Sequence, residues 1–197
     1  MTTTRRRVEA QTTSKRQELC PREDSLLLVV DVQERLLPHI FEKERVLENC
    51  RRLIQTANVL GVPILLTEQY PQGIGRTVKE ITDLLPGAEP IEKVSFSCCG
   101  DPAFLERLAA LGKRTVIVCG IEAHVCITQT TLELLAGGYF PYVVGDAISS
   151  RTRENWEAGV ARMQQAGATL GSTEMVAFEL LRRAATDEFR QILSLFR

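Results

Sequence analysis

The sequence predicts an α/β protein of the three-layer α/β/α kind, in which a parallel six-stranded sheet has helices on both faces. From residue 25 onward, short apolar segments alternate with segments of helical periodicity, and repeated strand–helix units of this length form parallel sheets. The apolar segments are continuous, which is typical of strands covered on both faces. The chain has 197 residues, of which 44% are hydrophobic, so a single core can close at this size.

The first two predicted strands enclose a long helix. Residues 25–30 form an apolar run that ends at Asp31, and residues 62–67 form a second run. Between them, apolar residues recur every three or four positions over residues 42–60. This spacing predicts a helix, and Gly61 is suited to cap its C-terminus.

The second half of the chain continues the alternation. Asp101 and Pro102 are suited to the N-cap and first position of a helix that ends at Gly112. The later elements are a strand at 115–119, a helix at 125–136, a strand at 141–144, a helix from Ser149 or Ser150 to Gly167, a weaker strand at 168–172, and helices at 173–184 and 187–196.

Residues 24–197 are predicted to form a single domain, preceded by a polar N-terminal tail at residues 1–23 that we expect to be mobile. Residues 2–19 carry five basic and two acidic residues and no apolar stretch, so they do not resemble a secretory signal. A cytoplasmic location with free thiols is therefore expected. The Arg-, Ser- and Thr-rich start leaves organellar import open.

The composition excludes several classes of partner. The net charge of −1 gives no electrostatic footprint for nucleic acid. No apolar run reaches the roughly 18 residues of a membrane span. The chain has two histidines, His39 and His124, whereas most catalytic zinc or iron sites use two or three. We therefore expect no nucleic acid, membrane or metal partner.

Candidate functional residues follow the predicted strands, because ligands of open parallel sheets bind beyond the carboxyl ends of the strands. Asp31 ends the first strand, and Lys93 follows another. Asp31 also suits a helix cap or an ion-pair partner, and Lys93 also suits a solvated surface lysine. If the two lie together near a thiol, the lysine would steady the carboxylate and lower the thiol pKa.

Cys126 lies where a strand turns into a helix, in the segment Gly-Ile-Glu-Ala-His-Val-Cys at residues 120–126. N–H groups at a helix N-terminus favour a thiolate and can receive a developing oxyanion. The alternative is a small buried apolar residue, which suits Cys20, Cys50 and Cys119 better than Cys126.

These motifs together resemble the isochorismatase-like cysteine hydrolases, which include nicotinamidases, pyrazinamidases and N-carbamoylsarcosine amidohydrolases. The matching motifs are Asp-Val-Gln at 31–33, Lys93 with its following Phe96, and the 120–126 segment. The resemblance covers about residues 24–185 and implies a Rossmann-like fold. Residues 67–73 and 144–151 look most like the subgroup of isochorismatase domain-containing proteins.

The resemblance implies a catalytic triad and a pocket around it. Asp31 would be the base, Lys93 the cation, and Cys126 the nucleophile that attacks a carbonyl carbon and forms a thioester. The oxyanion hole would be the backbone N–H groups of Glu122 and Cys126, after a cis peptide between Ile121 and Glu122. The implied pocket residues are Gln33, Gln69, Tyr70, Phe96 and His124.

The sequence differs from two groups within the family, and these differences narrow the set of expected reactions. Metal-dependent nicotinamidases use an Asp-x-His pair and a further histidine, and residues 68–75 contain no histidine. The resemblance therefore implies a site without metal or other cofactor, and it places nicotinamide and pyrazinamide in doubt as substrates. Isochorismate hydrolases proper lack the cysteine and cleave a vinyl ether, so Cys126 argues against that reaction.

Three functional hypotheses remain open on the sequence. The first is an amidohydrolase that acts on a small amide, carbamoyl or related acyl compound. The second is a catalytically silent domain that serves as a protein-interaction module. The third is a thiol redox protein, which is weaker because the chain has no Cys-x-x-Cys motif. The resemblance also implies a homo-oligomer, a dimer, tetramer or larger ring.

Overall fold

A computed structural model describes residues 19–197. Its sheet has six parallel strands in the order β3-β2-β1-β4-β5-β6. The elements in chain order are β1 (Ser25–Val30), α1 (Lys43–Leu60), β2 (Ile64–Gln69), α2 (Pro71–Ile74), α3 (Lys79–Thr82), β3 (Ile91–Lys93), α4 (Pro102–Leu111), β4 (Thr115–Ile121), α5 (Thr128–Ala136), β5 (Phe140–Ser149), α6 (Arg153–Ala166), β6 (Thr169–Gly171), α7 (Thr173–Leu181) and α8 (Asp187–Ser194). The predicted three-layer α/β fold is confirmed.

Each face of the sheet carries its own apolar core. Side chains of β1 alternate between the two faces: Leu27 and Val29 pack with α1, α7 and α8, whereas Leu26 and Leu28 pack with α4, α5 and α6. Every residue of β1 is buried, which explains why its sequence is continuously apolar and not alternating.

The strand order reverses direction between β1 and β4. The chain runs outward through β2 and β3 and then returns to β4 on the other side of β1. Such a switch point opens a crevice at the carboxyl ends of the two central strands, where ligands of this architecture bind. Asp31 follows β1, and the 120–126 segment spans the end of β4.

Several predicted boundaries are wrong. Neither Ser149 nor Ser150 caps α6, because β5 continues to Ser149 and the cap is Thr152, which accepts a hydrogen bond from the Asn155 N–H. The helix predicted at 173–184 ends at Leu181, because Arg182 has left-handed backbone angles.

Most of the predicted N-terminal tail, residues 1–18, lies outside the described residues. Two residues at its end, Cys20 and Arg22, contact the rest of the domain. Cys20 is buried and its N–H donates to Glu179 Oε2 at 2.7 Å. Arg22 pairs with Glu188 at 2.9 Å. These contacts connect the end of the predicted tail to α7 and α8.

Across residues 19–197, none of the helices combines the length and apolar character that a membrane crossing requires.

Candidate active site

Asp31, Lys93 and Cys126 meet at the carboxyl edge of the sheet. Asp31 directly follows β1, Lys93 is the last residue of β3, and Cys126 lies in a π-helical turn, Ala123–Ile127, between β4 and α5. All three residues are buried, with exposed fractions of 0%, 2% and 5%. The fold thus brings together three chemically complementary groups that are 62 and 33 residues apart in sequence.

Asp31 and Lys93 form a buried ion pair. The Lys93 Nζ lies 2.7 Å from Asp31 Oδ2, and it also donates to Gln69 Oε1 at 2.8 Å and to the carbonyls of Ser95 and Phe96 at 3.3 and 3.2 Å. Four acceptors therefore surround an ammonium group that has three hydrogens. Lys93 is a fixed cation whose N–H groups are all committed within the protein.

The electrostatics keep Lys93 protonated. Burial lowers the pKa of its ammonium, but the charge of Asp31 and the neighbouring thiols of Cys98 and Cys126 outweigh that effect, so the pKa is raised. Lys93 consequently carries its positive charge at neutral pH.

The Cys126 thiol has a raised pKa. Burial is the largest cause and the negative charge of Asp31 the second, whereas Lys93 lowers it, as the sequence analysis expected. The expectation that the turn favours a thiolate is therefore wrong for the resting protein. Cys126 lies within a single five-residue turn, and burial and the adjacent carboxylate dominate. The raised pKa favours the thiol form of Cys126, which lies beside the carboxylate of Asp31.

The backbone N–H group of Cys126 is not hydrogen-bonded to the Glu122 carbonyl, although those of its two neighbours are. The Glu122 carbonyl accepts from the N–H groups of Val125 and Ile127, at 3.1 and 3.2 Å, and skips the Cys126 N–H between them. The Ile121–Glu122 peptide bond is cis. These features lie where the sequence analysis placed an oxyanion hole, at the N–H groups of Glu122 and Cys126.

Two glycines allow other elements to approach this turn closely. A Cβ atom on Gly120 would lie 2.0 Å from the Val30 carbonyl oxygen of β1. A Cβ atom on Gly159 of α6 would lie 2.9 Å from the Ala123 carbonyl oxygen at the start of the turn. The nucleophile turn is therefore held between β1 and α6 by contacts that only glycine permits.

Of the five predicted pocket residues, Gln33 and Gln69 use their side-chain amides in hydrogen bonds within the protein. Gln33 is fully buried; its amide donates to the carbonyls of Gln69 and Gly75, and its Oε1 accepts from the Gln69 N–H. The amide of Gln33 therefore joins β2 to the loop after it. Gln69 donates to the Val94 carbonyl and accepts from Lys93.

Tyr70 and Phe96 lie at the mouth of the site and His124 lies deeper. Tyr70 and Phe96 are 52% and 55% exposed, and Tyr70 lines a cavity of about 280 Å³ together with Glu92, Lys93 and Val94. The His124 Nδ1 lies 2.9 Å from the Ser150 hydroxyl. The cavity is thus lined by charged and polar residues, such as Glu92 and Asp101, as well as by Tyr70 and Val94.

The buried carboxylate of Glu68, which follows a predicted strand and had no predicted role, anchors the loop that contains Arg76 and Thr77. Glu68 Oε1 accepts from the Thr77 N–H at 2.7 Å and from its hydroxyl at 2.8 Å, and Oε2 accepts from Arg76 at 2.9 Å. The signal was a run of three polar residues, Thr-Glu-Gln, at the end of an apolar strand.

The same run of residues supplies a second unpredicted group, Thr67, whose hydroxyl donates to Asp31 Oδ1 at 2.7 Å. Both Asp31 oxygens therefore have a donor within the protein. As for metals, the described part of the chain contains no group of three His, Cys, Asp or Glu residues placed to hold an ion.

Comparison with known proteins gives consistent results. The family model described as the isochorismatase domain matches residues 25–175. Isochorismatase domain-containing protein 2 from Danio rerio is 38% identical over 172 residues, which cover 87% of this chain and 86% of the relative. Its counterpart from Homo sapiens is 38% identical over 174 residues, covering 88% and 83%.

The fold matches solved structures at similar coverage. The MAR1 ribonuclease from Caenorhabditis elegans has 36% identity and a TM-score of 0.84, covering 90% of this chain and 91% of its own. YcaC from Pseudomonas aeruginosa, solved with hexane-2,5-diol and covalent acrylamide, has 28% identity and a TM-score of 0.86, covering 92% and 93%. The Escherichia coli YcaC gene product, described as an octameric hydrolase of unknown specificity, has 27% identity and a TM-score of 0.85, covering 90% and 89%.

Proposed function

Because this chain belongs to the isochorismatase family, we propose that it is a hydrolase that cleaves the C–N bond of a small amide or carbamoyl compound through a thioester on Cys126. One observation carries the proposal: the buried Asp31–Lys93 ion pair lies beside Cys126 at the switch point of the sheet. A thiol, a base and a fixed cation are the groups that acyl transfer by covalent catalysis requires.

In the first step, Asp31 removes the proton from the Cys126 thiol as the sulfur attacks the substrate carbonyl carbon. A C–S bond forms, and the electron pair of the C=O bond moves to oxygen. The N–H groups of Cys126 and Glu122 receive the oxyanion, which preorganised donors stabilise most in a site that excludes water. The raised pKa of the resting thiol makes this base necessary.

In the second step, Asp31 returns the proton to the substrate nitrogen, the C–N bond breaks, and ammonia or an amine leaves. A water molecule then gives a proton to Asp31 and attacks the thioester carbon. The C–S bond breaks, and the proton returns to sulfur as the acid departs. Lys93 keeps its proton throughout, because all of its hydrogens are committed to Asp31, Gln69 and the nearby carbonyls.

The solved relatives support a nucleophile in this fold. The Pseudomonas aeruginosa neighbour was solved with covalent acrylamide, and acrylamide is an electrophilic amide of the kind that thiolates attack. The Escherichia coli neighbour is described as a hydrolase. The proposal includes no metal, because residues 68–75 of this chain have no histidine.

A second candidate is RNA cleavage, because the Caenorhabditis elegans neighbour is named a ribonuclease. Two arginines near the site favour the amide reaction over RNA cleavage. Arg76 is paired with Glu68 and Glu92, and Arg151 is paired with Glu122, so their charges are neutralised locally. A phosphodiester backbone is bound chiefly by unpaired cations.

The test is a screen of small amides and carbamoyl compounds for ammonia release, with single-stranded RNA as a parallel substrate. Cys126→Ala is expected to abolish release while folding normally. Cys119→Ala is the matched control, since Cys119 is a buried strand thiol, and it should keep its activity if it folds. Undiminished ammonia release by Cys126→Ala would refute the thioester, and RNA cleavage without amide hydrolysis would favour the second candidate.

A further inference from the structure

Thr67 contacts Asp31 at two points. This residue lies in β2, beside Val30 in the sheet register, and is fully buried. Its hydroxyl donates to Asp31 Oδ1 at 2.7 Å, and its carbonyl accepts the Asp31 N–H at 3.2 Å. Thr67 therefore fixes both the backbone and the carboxylate of the residue that follows β1.

Asp31 needs such fixing because its backbone is in the left-handed region, with φ at 53°. Residues other than glycine rarely adopt this conformation, and it persists only where neighbouring groups determine it. The side chain of Thr67 is well suited to the purpose. A β-branched side chain has few χ1 rotamers, so its hydroxyl is held in one direction with little loss of entropy.

A second contact, with the Cys98 thiol, orients the Thr67 hydroxyl. Cys98 Sγ lies 3.9 Å from Thr67 Oγ1 and donates to it, so the Thr67 hydrogen is free to point at Asp31. Cys98 is itself held by its N–H, which donates to the Thr130 hydroxyl at 2.9 Å. Burial raises the pKa of Cys98 to about 12, so this donor keeps its proton at neutral pH.

We propose that Thr67 is a positioning residue for Asp31, and that its hydroxyl holds the carboxylate in place and stabilises its negative charge. The inference rests on the proposed function, since it assigns a role to Thr67 through the base of that reaction. The hydrogen bonds form a chain from the Cys98 thiol through the Thr67 hydroxyl to Asp31 Oδ1, while Lys93 holds Oδ2.

Loss of the Thr67 hydroxyl is expected to change how the reactivity of Cys126 depends on pH. The titratable groups that face Asp31 are Lys93 from β3, Cys98 from the turn after β3, and Cys126 from the turn after β4. A carboxylate that loses a hydrogen-bond donor takes up a proton more easily. The acidic limb of any reaction that depends on ionised Asp31 should therefore move to higher pH.

The experiment measures the rate at which iodoacetamide alkylates Cys126, by peptide mass spectrometry, from about pH 4 to about pH 9. Two matched pairs differ by the hydroxyl: wild type against Thr67→Val, and Thr67→Ser against Thr67→Ala. In the variants without the hydroxyl, the acidic limb is expected to move up by about one pH unit, the effect of one hydrogen bond to a charged group. The Thr67→Ser limb should match the wild type.

The possible results distinguish a failure of the proposed role of Thr67 from a failure of the proposed function. A Cys126 that is alkylated no faster than Cys119 in the wild type would overturn both. A reactive Cys126 whose acidic limb is the same within each pair would overturn the role of Thr67 alone. If Thr67→Val does not fold, the Ser and Ala pair gives the same comparison in smaller side chains.

Discussion

At the scale of single residues, the buried negative charge of Asp31 is paired with the buried positive charge of Lys93. The Asp31 and Lys93 side chains are both fully buried and pair at 2.7 Å. Burying two charges is unfavourable unless they are paired and hydrogen-bonded, and the loss of one partner leaves the other uncompensated. The pair is therefore expected to stabilise the fold in addition to its proposed role in the reaction.

Removal of the Lys93 charge should destabilise the fold strongly. Lys93→Met leaves Asp31 buried without its cation, and we expect a loss of about 3–5 kcal/mol in the free energy of unfolding. Urea denaturation measures it, and the double variant with Asp31→Asn should recover part of the loss. The control is Lys79→Met, whose exposed pair with Asp83 should contribute less than about 1 kcal/mol. Equal losses in both single variants would contradict the account.

The sequence was sufficient to locate these groups but not to assign their protonation. Asp31, Lys93 and Cys126 could be found because each follows a predicted strand in a motif that resembles a known family. The protonated state of Cys126 depends on its burial and on the distance to Asp31, and both are set by the tertiary structure. The same applies to Gln33, whose amide joins β2 to the following loop.

The π-helical turn is the element on which the position of Cys126 depends. It is enclosed by β4 before it, α5 after it, and α6 across it. The close approach of Gly159 to the Ala123 carbonyl means that α6 sets the height of the turn above the sheet. A small change in α6 should therefore reach the nucleophile without altering any group of the triad.

Gly159→Ala is expected to displace the nucleophile turn. Its new methyl group would lie 2.9 Å from the Ala123 oxygen, and overpacking of this kind costs about 1–3 kcal/mol. The alkylation rate of Cys126 should fall about tenfold or more, because small misplacements of reacting atoms are costly. Gly137→Ala is the matched control, since its Cβ would meet neighbours at no less than 3.4 Å. An unchanged rate in Gly159→Ala would contradict the proposed role of α6.

The elements that the sequence misassigned lie where tertiary contacts override local pattern. Residues 145–149 are small and polar enough to suggest a loop and a helix cap, yet they form the end of β5 by pairing with β4 after a shift in register between Val118 and Gly120. The Ser149 hydroxyl then donates to the Phe41 carbonyl. No pattern within residues 141–152 indicates this distant pairing, whereas the long periodicity of α1 was sufficient to predict that helix.

The whole molecule contains thiols that resist ionisation. Burial raises the pKa of Cys98 to about 12 and that of Cys99 to about 11, and it raises the pKa of Cys126 as well. In the unfolded chain a thiol loses its proton at about pH 8.5. Above that pH the unfolded state binds fewer protons than the folded state, so stability falls as pH rises.

The melting temperature should therefore be nearly constant from about pH 7 to about pH 8.5 and should fall steadily at higher pH. The raised pKa of Lys93 acts in the same direction above its ordinary value of 10.5. Differential scanning fluorimetry across this range tests the prediction. Cys98→Ala should give a shallower fall than the wild type. A melting temperature that rises with pH above about 8.5 would contradict it.

Assembly is the remaining property of the whole molecule. The described residues include several exposed apolar side chains, among them Tyr70, Val94 and Phe96. We expect the chain to form a homo-oligomer. Light scattering should give a multiple of the chain mass at micromolar concentration, and a single chain mass there would contradict the expectation.

The proposed mechanism requires that Cys126 becomes acylated during turnover. Peptide mass spectrometry of the protein, after acid quenching of its reaction with an amide that releases ammonia, detects such an acyl group. We expect an acyl mass on the peptide that contains Cys126, formed no slower than ammonia is released and absent from Cys126→Ala. Ammonia release with Cys126 unmodified at every time point, or an acyl group on another residue, would contradict it.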